Sequence, residues 1–516
     1  MLSSYDYVVV GGGTAGSVMA ARLSEAGATV LVLEAGPVVA PEHAYDLESF
    51  PRRLLGSAID WSFVTAPQSG TEGAVHMWSR GKVLGGSSTI NAMGHIRGNR
   101  ADYDRWAASG ATGWSYEDLL PYFKRSETAP GRDPAYRGTE GPLHVAPPDS
   151  ESVGAQAFRQ AVVEAGHPVT EDINGRDQVG AFRFDMNFVE GRRQSAADAY
   201  LRPAMGRANL DVIGAAMVHR LRFEHGRCVA VEFTVDGSLH TVQSRQETVL
   251  TAGAIGSPHQ LLLSGIGPAG ELRGLGIDVV ADLPGVGQNL QDHVQGRLIY
   301  SAKDPMHTSA NGFCTVSANL RTGTSPGAAP DVNLLLIDFP APPTVVGSPL
   351  AALLPETGYT IAFAHLAPPD SRGSIRLAGN DPELPPIIDP RYYAEDTDLA
   401  AMIEHLHLAR SVGEAAALSP WRQAEVLPGP GVKNDADLGA YLRRASGTSF
   451  HPVGTCRIGT DPLGVVDTEL RVHGVDGLRI ADASVMPDIV SANTNATVVA
   501  IAERAAEQIL TASGGR

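Results

Sequence analysis

The sequence predicts an α/β protein of two domains whose segments alternate along the chain. Three observations carry this reading. A complete strand–helix–strand unit occupies the first 34 residues, strand-like runs return far downstream at Thr248-Val249-Leu250 and Leu478-Arg479-Ile480, and a helical pattern from about Thr494 to Leu510 closes the chain. A last helix that rejoins the first domain means that neither domain is contiguous in sequence.

The elements follow in order. Tyr5-Asp6-Tyr7-Val8-Val9-Val10 is a short β-branched and aromatic run that suits a buried parallel strand. The glycine turn Gly11-Gly12-Gly13-Thr14-Ala15-Gly16 leads into a one-sided helix over 17–26, with Gly27 as its left-handed stop, and Thr29–Leu33 forms a second strand ending at Glu34. Further on, the dense Pro and Gly of 321–330 and 340–355 predict surface loops.

Composition narrows the class. Of 516 residues 43% are apolar and 19% charged, and Gly (57) plus Pro (35) stay below the disordered range. A net charge of −17 repels phosphate and argues against nucleic acid and anionic membranes as partners. Cys228, Cys314 and Cys456 are too far apart and too few for a disulfide framework or a zinc site, so no metal is expected. Without an apolar stretch of about 18 residues or a leader before Tyr5, the expectation is a soluble cytoplasmic protein with no membrane insertion.

Gly11-x-Gly13-x-x-Gly16 sits between strand and helix, and Glu34 follows Gly16 by 18 residues at the end of the next strand. That context makes it a dinucleotide site: Gly11 allows the tight turn, Gly13 lets backbone amides approach a pyrophosphate, Gly16 lets helix and sheet pack, and Glu34 accepts from ribose hydroxyls. A second match, Gly265-Ile266-Gly267-Pro268-Ala269-Gly270, is read as a decoy. The run before it reads as helix, Pro268 has no amide to donate, and no strand–helix–strand unit is expected around it. One dinucleotide unit is compatible with a nicotinamide or a flavin cofactor.

Gly81-Lys82-Val83-Leu84-Gly85-Gly86-Ser87-Ser88-Thr89-Ile90-Asn91-Ala92-Met93 with Arg97-Gly98, and Gly253-Ala254-Ile255-Gly256-Ser257-Pro258 through Gly267, resemble the two signatures of the glucose–methanol–choline (GMC) flavin oxidoreductases. Leu283–His293, Ser371–Arg376 and Ile388-Asp389-Pro390 extend the likeness, which runs from residue 5 to about 510. The resemblance implies FAD in an extended form. Gly11, Gly13, Thr14, Ala15, Gly16, Glu34 and Ala35 would hold its adenosine end, and Gly85, Gly86, Ser87, Asn91, Ala92 and Met93 its pyrophosphate and ring. Val218 would meet the adenine and Asp482-Ala483 the ribityl or phosphate region, and Ala252 and Gly253 are further expected cofactor contacts. Asn91 is expected to offer the ring both donor and acceptor. Ile90 stands where some members carry a His that bonds FAD covalently, so FAD is expected to be noncovalent.

Ser449-Phe450-His451-Pro452 and Ser491-Ala492-Asn493-Thr494-Asn495-Ala496 resemble the segments bearing the family's catalytic His and its partner, here His451 and Asn493. Hydride leaves an alcohol carbon readily only when the oxygen has lost its proton. A neutral imidazole with a reference pKa of about 6.5 suits the base, and an amide suits the alkoxide oxygen. Asn495 and Ala496, at a helix start, are expected to address the flavin through backbone amides. His405-Leu406-His407 resembles a metal pair, but residues two apart on a helix do not share a face, and a solvated helix is expected. Asn495-Ala496-Thr497 matches a glycosylation acceptor inside the flavin motif, and no Gly-x-Ser-x-Gly elbow occurs.

The resulting expectation is a Rossmann-type FAD-binding domain (1–105, 205–300, 455–516) and a substrate domain on an antiparallel sheet (106–204, 301–454). The resemblance implies oxidation of a small-molecule primary alcohol to an aldehyde, and onward through the hydrate to the acid. Reduced FAD passes electrons to O2 in the preferred reading, or to another electron acceptor as in alcohol and choline dehydrogenases. A hydroxynitrile lyase is the rival from another class. Substrate contacts are expected from loops around Phe313 and Phe339, and the oligomeric state stays open.

Overall fold

The computed structural model describes residues 2–148, 151–306, 315–323 and 328–514, and every structural statement below concerns those residues. Phe313 and Cys314 lie outside them. Two seven-stranded sheets organise the chain. In the first, β1 (Ser4–Val10) lies between β2 (Val30–Leu33) and the long strand Ser238–Leu250, all parallel, and Leu210–Ile213 extends the row beyond β2. Leu478–Ile480 adds in parallel beside Thr248–Leu250, so the last strand enters from far along the chain. The first half of Ser238–Leu250 pairs antiparallel with Arg227–Val235, and that strand with Met217–Glu224.

β1 and β2 are buried along nearly their whole length, which is why they read as unbroken apolar runs and not as alternating ones. Between them α1 (Thr14–Glu25) covers one face and stops at Gly27, whose φ of +90° is the left-handed conformation the sequence reading requires. The strand Ser238–Leu250 runs into α2 (Gly253–Leu263), and α3 (Asn495–Gly514) packs against α1. Val18, Met19 and Leu23 meet Val499, Ala502 and Ala506 in one core, each large side chain contributing roughly 1.5–3 kcal/mol. Glu503, fully buried, is matched by Arg22 and Arg125 and by the Tyr200 hydroxyl at 2.8 Å, so its charge is not left alone.

The second sheet is antiparallel throughout, in the order 422–427, 294–302, 358–365, 332–337, 316–320, 180–183, with Gly447–Thr448 pairing beside Val294–Gln295. The helix Asp396–Gly413 lies on it and buries Met402, Leu406, Ala409 and Val412.

Several expectations change. The strand Val294–Ala302, split by the expected boundary at 300, belongs wholly to the second sheet. Trp106, Trp114, Leu119 and Phe123, expected in the substrate domain, pack into the first core, because the helix Tyr116–Ser126 lies on α3. The helix bearing His405 and His407 is present, but His405 is buried, its Nε2 2.9 Å from Nδ1 of His365, while His407 is exposed. Residues two apart point to opposite sides, and one side of this helix is core. The decoy glycine motif does sit in a miniature strand–helix–strand unit, Ile266–Gly267 and Ala281–Asp282 in parallel around Ala269–Gly274. Residues 340–355 form the expected loop, with one 3₁₀ turn at Pro349–Leu353. No described helix is long and apolar enough to cross a membrane. Cys228 and Cys456 are buried free thiols.

Candidate active site

At the end of β1, Gly11 turns with φ +103°, and a Cβ there would stand 2.8 Å from the Thr251 carbonyl oxygen. A Cβ on Gly16 would stand 1.9 Å from the Gly11 carbonyl oxygen, so α1 approaches the turn as closely as backbone permits. The Gly85 amide donates to the Gly12 carbonyl at 2.8 Å, and Gly86 meets Gly13 backbone to backbone. Two glycine loops 70 residues apart thus close on each other. Gly11, Gly13, Thr14, Ala15, Glu34, Ala35, Gly86 and Ser87 face one cavity; Gly16 and Gly85 do not, and serve the packing behind it. Gly13 caps α1 without any side-chain hydrogen bond, which leaves the first-turn amides and the positive end of the helix dipole open to the cavity.

Glu34 accepts the Gly12 and Gly36 amides at 2.8 Å, one on each oxygen. Burial pushes its pKa up to about 7 against the pull of those amides and of Lys82. Each oxygen keeps a lone pair for a ribose hydroxyl. Val218, Ala252, Gly253, Asp482 and Ala483 continue the wall. The Asp482 carboxylate is engaged by the protein: it accepts the Gly253 amide, the Ser257 hydroxyl, and the amide and hydroxyl of Ser484 at 2.5–2.8 Å, and so pins the start of α2. Gln260, not singled out in the sequence, donates from Nε2 to the Val218 carbonyl at 3.0 Å and leaves a buried Oε1 in the wall without a hydrogen-bond partner. Uncapped amides, Glu34 and this open acceptor fit the pyrophosphate, ribose and adenine amino group of an extended dinucleotide.

Asn91, Ala92 and Met93 also face the cavity, with Met93 at φ +63°. The expectation for Asn91 is corrected: its Oδ1 accepts both the Met93 amide and Arg193 Nη1 at 2.9 Å, which leaves only its NH2 for a ligand. Asn495 faces the cavity and its Oδ1 accepts the Thr14 hydroxyl at 3.0 Å, tying the starts of α3 and α1 together, whereas Ala496 is buried behind.

At the other end of the cavity, Val453 pairs with Gln291 and the Ser449 amide donates to the His293 carbonyl, so residues 449–453 run along residues 291–293. This brings His451 beside His293, their Nδ1 atoms 2.9 Å apart with rings perpendicular, and the Asn493 amide nitrogen donates to His451 Nε2 at 3.2 Å. Asp292 accepts the His451 amide at 2.8 Å and the Tyr392 hydroxyl at 2.5 Å. Arg80, also in the wall, donates to the Phe450 and Ser79 carbonyls and has no ion pair among the described residues; burial lowers its pKa to about 10. Burial first, and the Arg80 charge second, hold the His451 imidazole down to a pKa of about 3. The arrangement is a neutral base and an amide donor side by side on the wall of a dinucleotide cavity.

The sequence did not single out Arg80 or His293 for the site, because their place depends on pairings hundreds of residues apart. Ile90, expected where a covalent link would form, lines the cavity. Phe339 is not in the wall, which Phe50, Leu55, Trp61 and Phe63 complete instead.

Known proteins resemble this chain over nearly its whole length. The GMC oxidoreductase family models match residues 5–295 and 369–502. The mitochondrial choline dehydrogenase of Homo sapiens is 39% identical over 534 residues, covering 98% of this chain and 89% of its own. An oxygen-dependent choline dehydrogenase of Brucella anthropi is 38% identical over 537 residues, with 98% and 95% covered. Among solved structures, pyridoxine 4-oxidase from Mesorbium loti has a TM-score of 0.91 at 35% identity over 98% of both chains, and a fungal aryl-alcohol oxidase 0.88 at 27% over 100% of both. The chain belongs to the GMC oxidoreductase family: it is an FAD-dependent oxidoreductase acting on alcohols.

Proposed function

We propose that this enzyme oxidises a primary alcohol to its aldehyde with His451 as the base, that it holds FAD without a covalent bond, and that O2 takes the electrons. The observation that carries this is the pairing of His451 Nε2 with the Asn493 amide, 3.2 Å apart, on the cavity that the Gly11–Gly16 turn also lines. When bound, FAD supplies the hydride acceptor. Nε2 of His451 takes the hydroxyl proton, and the Asn493 NH2 donates to the oxygen as its negative charge grows. Arg80 adds a positive charge nearby that favours both the neutral imidazole and the alkoxide. Isoleucine at position 90 has no atom able to bond a flavin, which supports a cofactor released by denaturation. The names of two relatives, an oxygen-dependent choline dehydrogenase and pyridoxine 4-oxidase, support oxygen as acceptor.

The test is flavin absorbance under anaerobic conditions with benzylic, furanic, aliphatic and choline-like alcohols, followed by air. Bleaching and rapid recovery in air is the expected result. Bleaching that persists in air assigns a different electron acceptor, and no bleaching by any of these alcohols moves the reading toward a lyase or toward an alcohol outside this panel.

The adenosine end gives a separate prediction. In Glu34→Gln one side-chain oxygen can accept one backbone amide, but the NH2 faces the other donor to donor. FAD binding to the apoprotein, followed by flavin fluorescence, is expected to weaken by about tenfold.

A further inference from the structure

We propose that His293 is a positioning residue that fixes His451 in the one tautomer able to take a hydroxyl proton. This rests on the reading of His451 as the base. A neutral imidazole carries a single N–H. The Asn493 amide donates to Nε2 of His451, so Nε2 holds the lone pair and Nδ1 the hydrogen. Nδ1 lies 2.9 Å from Nδ1 of His293, which must then accept, with the His293 proton on its other nitrogen. That nitrogen, Nε2 of His293, is buried and has no hydrogen-bond partner among the described residues, while the backbone of Val490 and Leu366 lies near enough to favour a protonated ring. The reverse arrangement, with His293 donating, would place a hydrogen on His451 Nε2 against the NH2 of Asn493 and remove the base.

The surroundings keep the pair in its neutral form. Arg80 faces His451, His365 lies near His293, and both rings are buried. The Asp292 carboxylate is engaged by the His451 amide and the Tyr392 hydroxyl, so it steadies the backbone and not the ring. In the reaction step the substrate O–H bond breaks and an Nε2–H bond forms. The Nδ1–H donation to His293 then comes from a cation and strengthens, the part a carboxylate plays in a Ser-His-Asp triad. His293 touches no substrate in this account; it acts through His451.

The experiment is anaerobic stopped-flow reduction of the FAD-loaded enzyme, in H2O and D2O, with an alcohol that bleaches the wild type. His293→Leu is expected to lower the limiting reduction rate by about 100-fold with the substrate dissociation constant within about threefold, and to raise the solvent isotope effect as proton removal becomes limiting. His293→Gln, whose carbonyl can accept from Nδ1–H, is expected to recover most of that rate. A Leu variant within about threefold of wild type overturns the proposal, as does a Gln variant as slow as Leu at full FAD content with the wild-type isotope effect. Should Leu fail to fold, the Gln variant decides alone: a loss under about tenfold supports the assignment and one above about 100-fold ends it. Unimpaired reduction by His451→Ala would instead remove the base reading beneath it.

Discussion

His451→Ala is expected to slow flavin reduction by about 10³-fold or more while FAD content and spectrum stay those of the wild type, because the variant loses the neutral imidazole that the Asn493 amide faces on the cavity wall. Single-turnover reduction under argon is the measurement, since it isolates the step from reoxidation. The pH dependence follows from the same geometry. The folded-state pKa of His451 lies near 3, below its ordinary 6.5, so the imidazole is neutral down to about pH 5 and the rate falls only as pH drops toward the folded value. Wild-type reduction is therefore expected to be flat from about pH 9 to 5 with respect to this group. Arg80→Met removes one cause of the depression, and its acid limb should move to higher pH. A wild-type rate that instead falls between about pH 7 and 6 would contradict an imidazole held neutral by burial and Arg80.

Gly16→Val is the second large effect. The new Cβ would meet the Gly11 carbonyl oxygen at 1.9 Å and the Thr251 hydroxyl at 2.9 Å, and the first of these is backbone with nowhere to move. Either α1 shifts off the glycine turn or the turn opens. Both spoil the amides that face the cavity, and overpacking against backbone costs about 3 kcal/mol or more. The expected outcome is protein purified with little FAD and a lowered melting temperature. Gly270→Ala is the matched control, because it belongs to the other glycine motif and a Cβ there meets nothing within 4 Å. A Gly16→Val protein with full FAD content would show that the turn can yield.

The contrast between those two glycines marks what could be read from the sequence. The first motif was legible because strand, turn, helix and Glu34 lie within 34 residues and each carries its own local signal. The second glycine motif also forms strand, helix and strand, yet it stands away from the cavity, a fact set by tertiary placement. Asn91 shows the same limit from the other side. Its place in the wall was readable from its motif, but its acceptor is taken by Arg193, 102 residues away. Likewise His293 and His451 are 158 residues apart, and nothing in either segment announces that their rings touch. His405 was misjudged because amphipathicity tells which helix faces are apolar, not which polar residue finds a buried partner such as His365.

The first sheet and its helices are drawn from chain positions hundreds of residues apart: β1 and α1 come early, while Leu478–Ile480, the Asn493–Asn495 segment and α3 come late. A ribosome that has made the first 470 residues has therefore delivered the glycine turn without the helix that covers α1 or the amide that completes the cavity. Val18, Met19 and Leu23 have no partner from α3 at that stage, and the apolar face of α1 stays uncovered until that helix docks. The glycine turn and the Asn493–Asn495 segment line one cavity, so that cavity is complete only once these distant segments have come together, and a ligand bound in it latches them to each other.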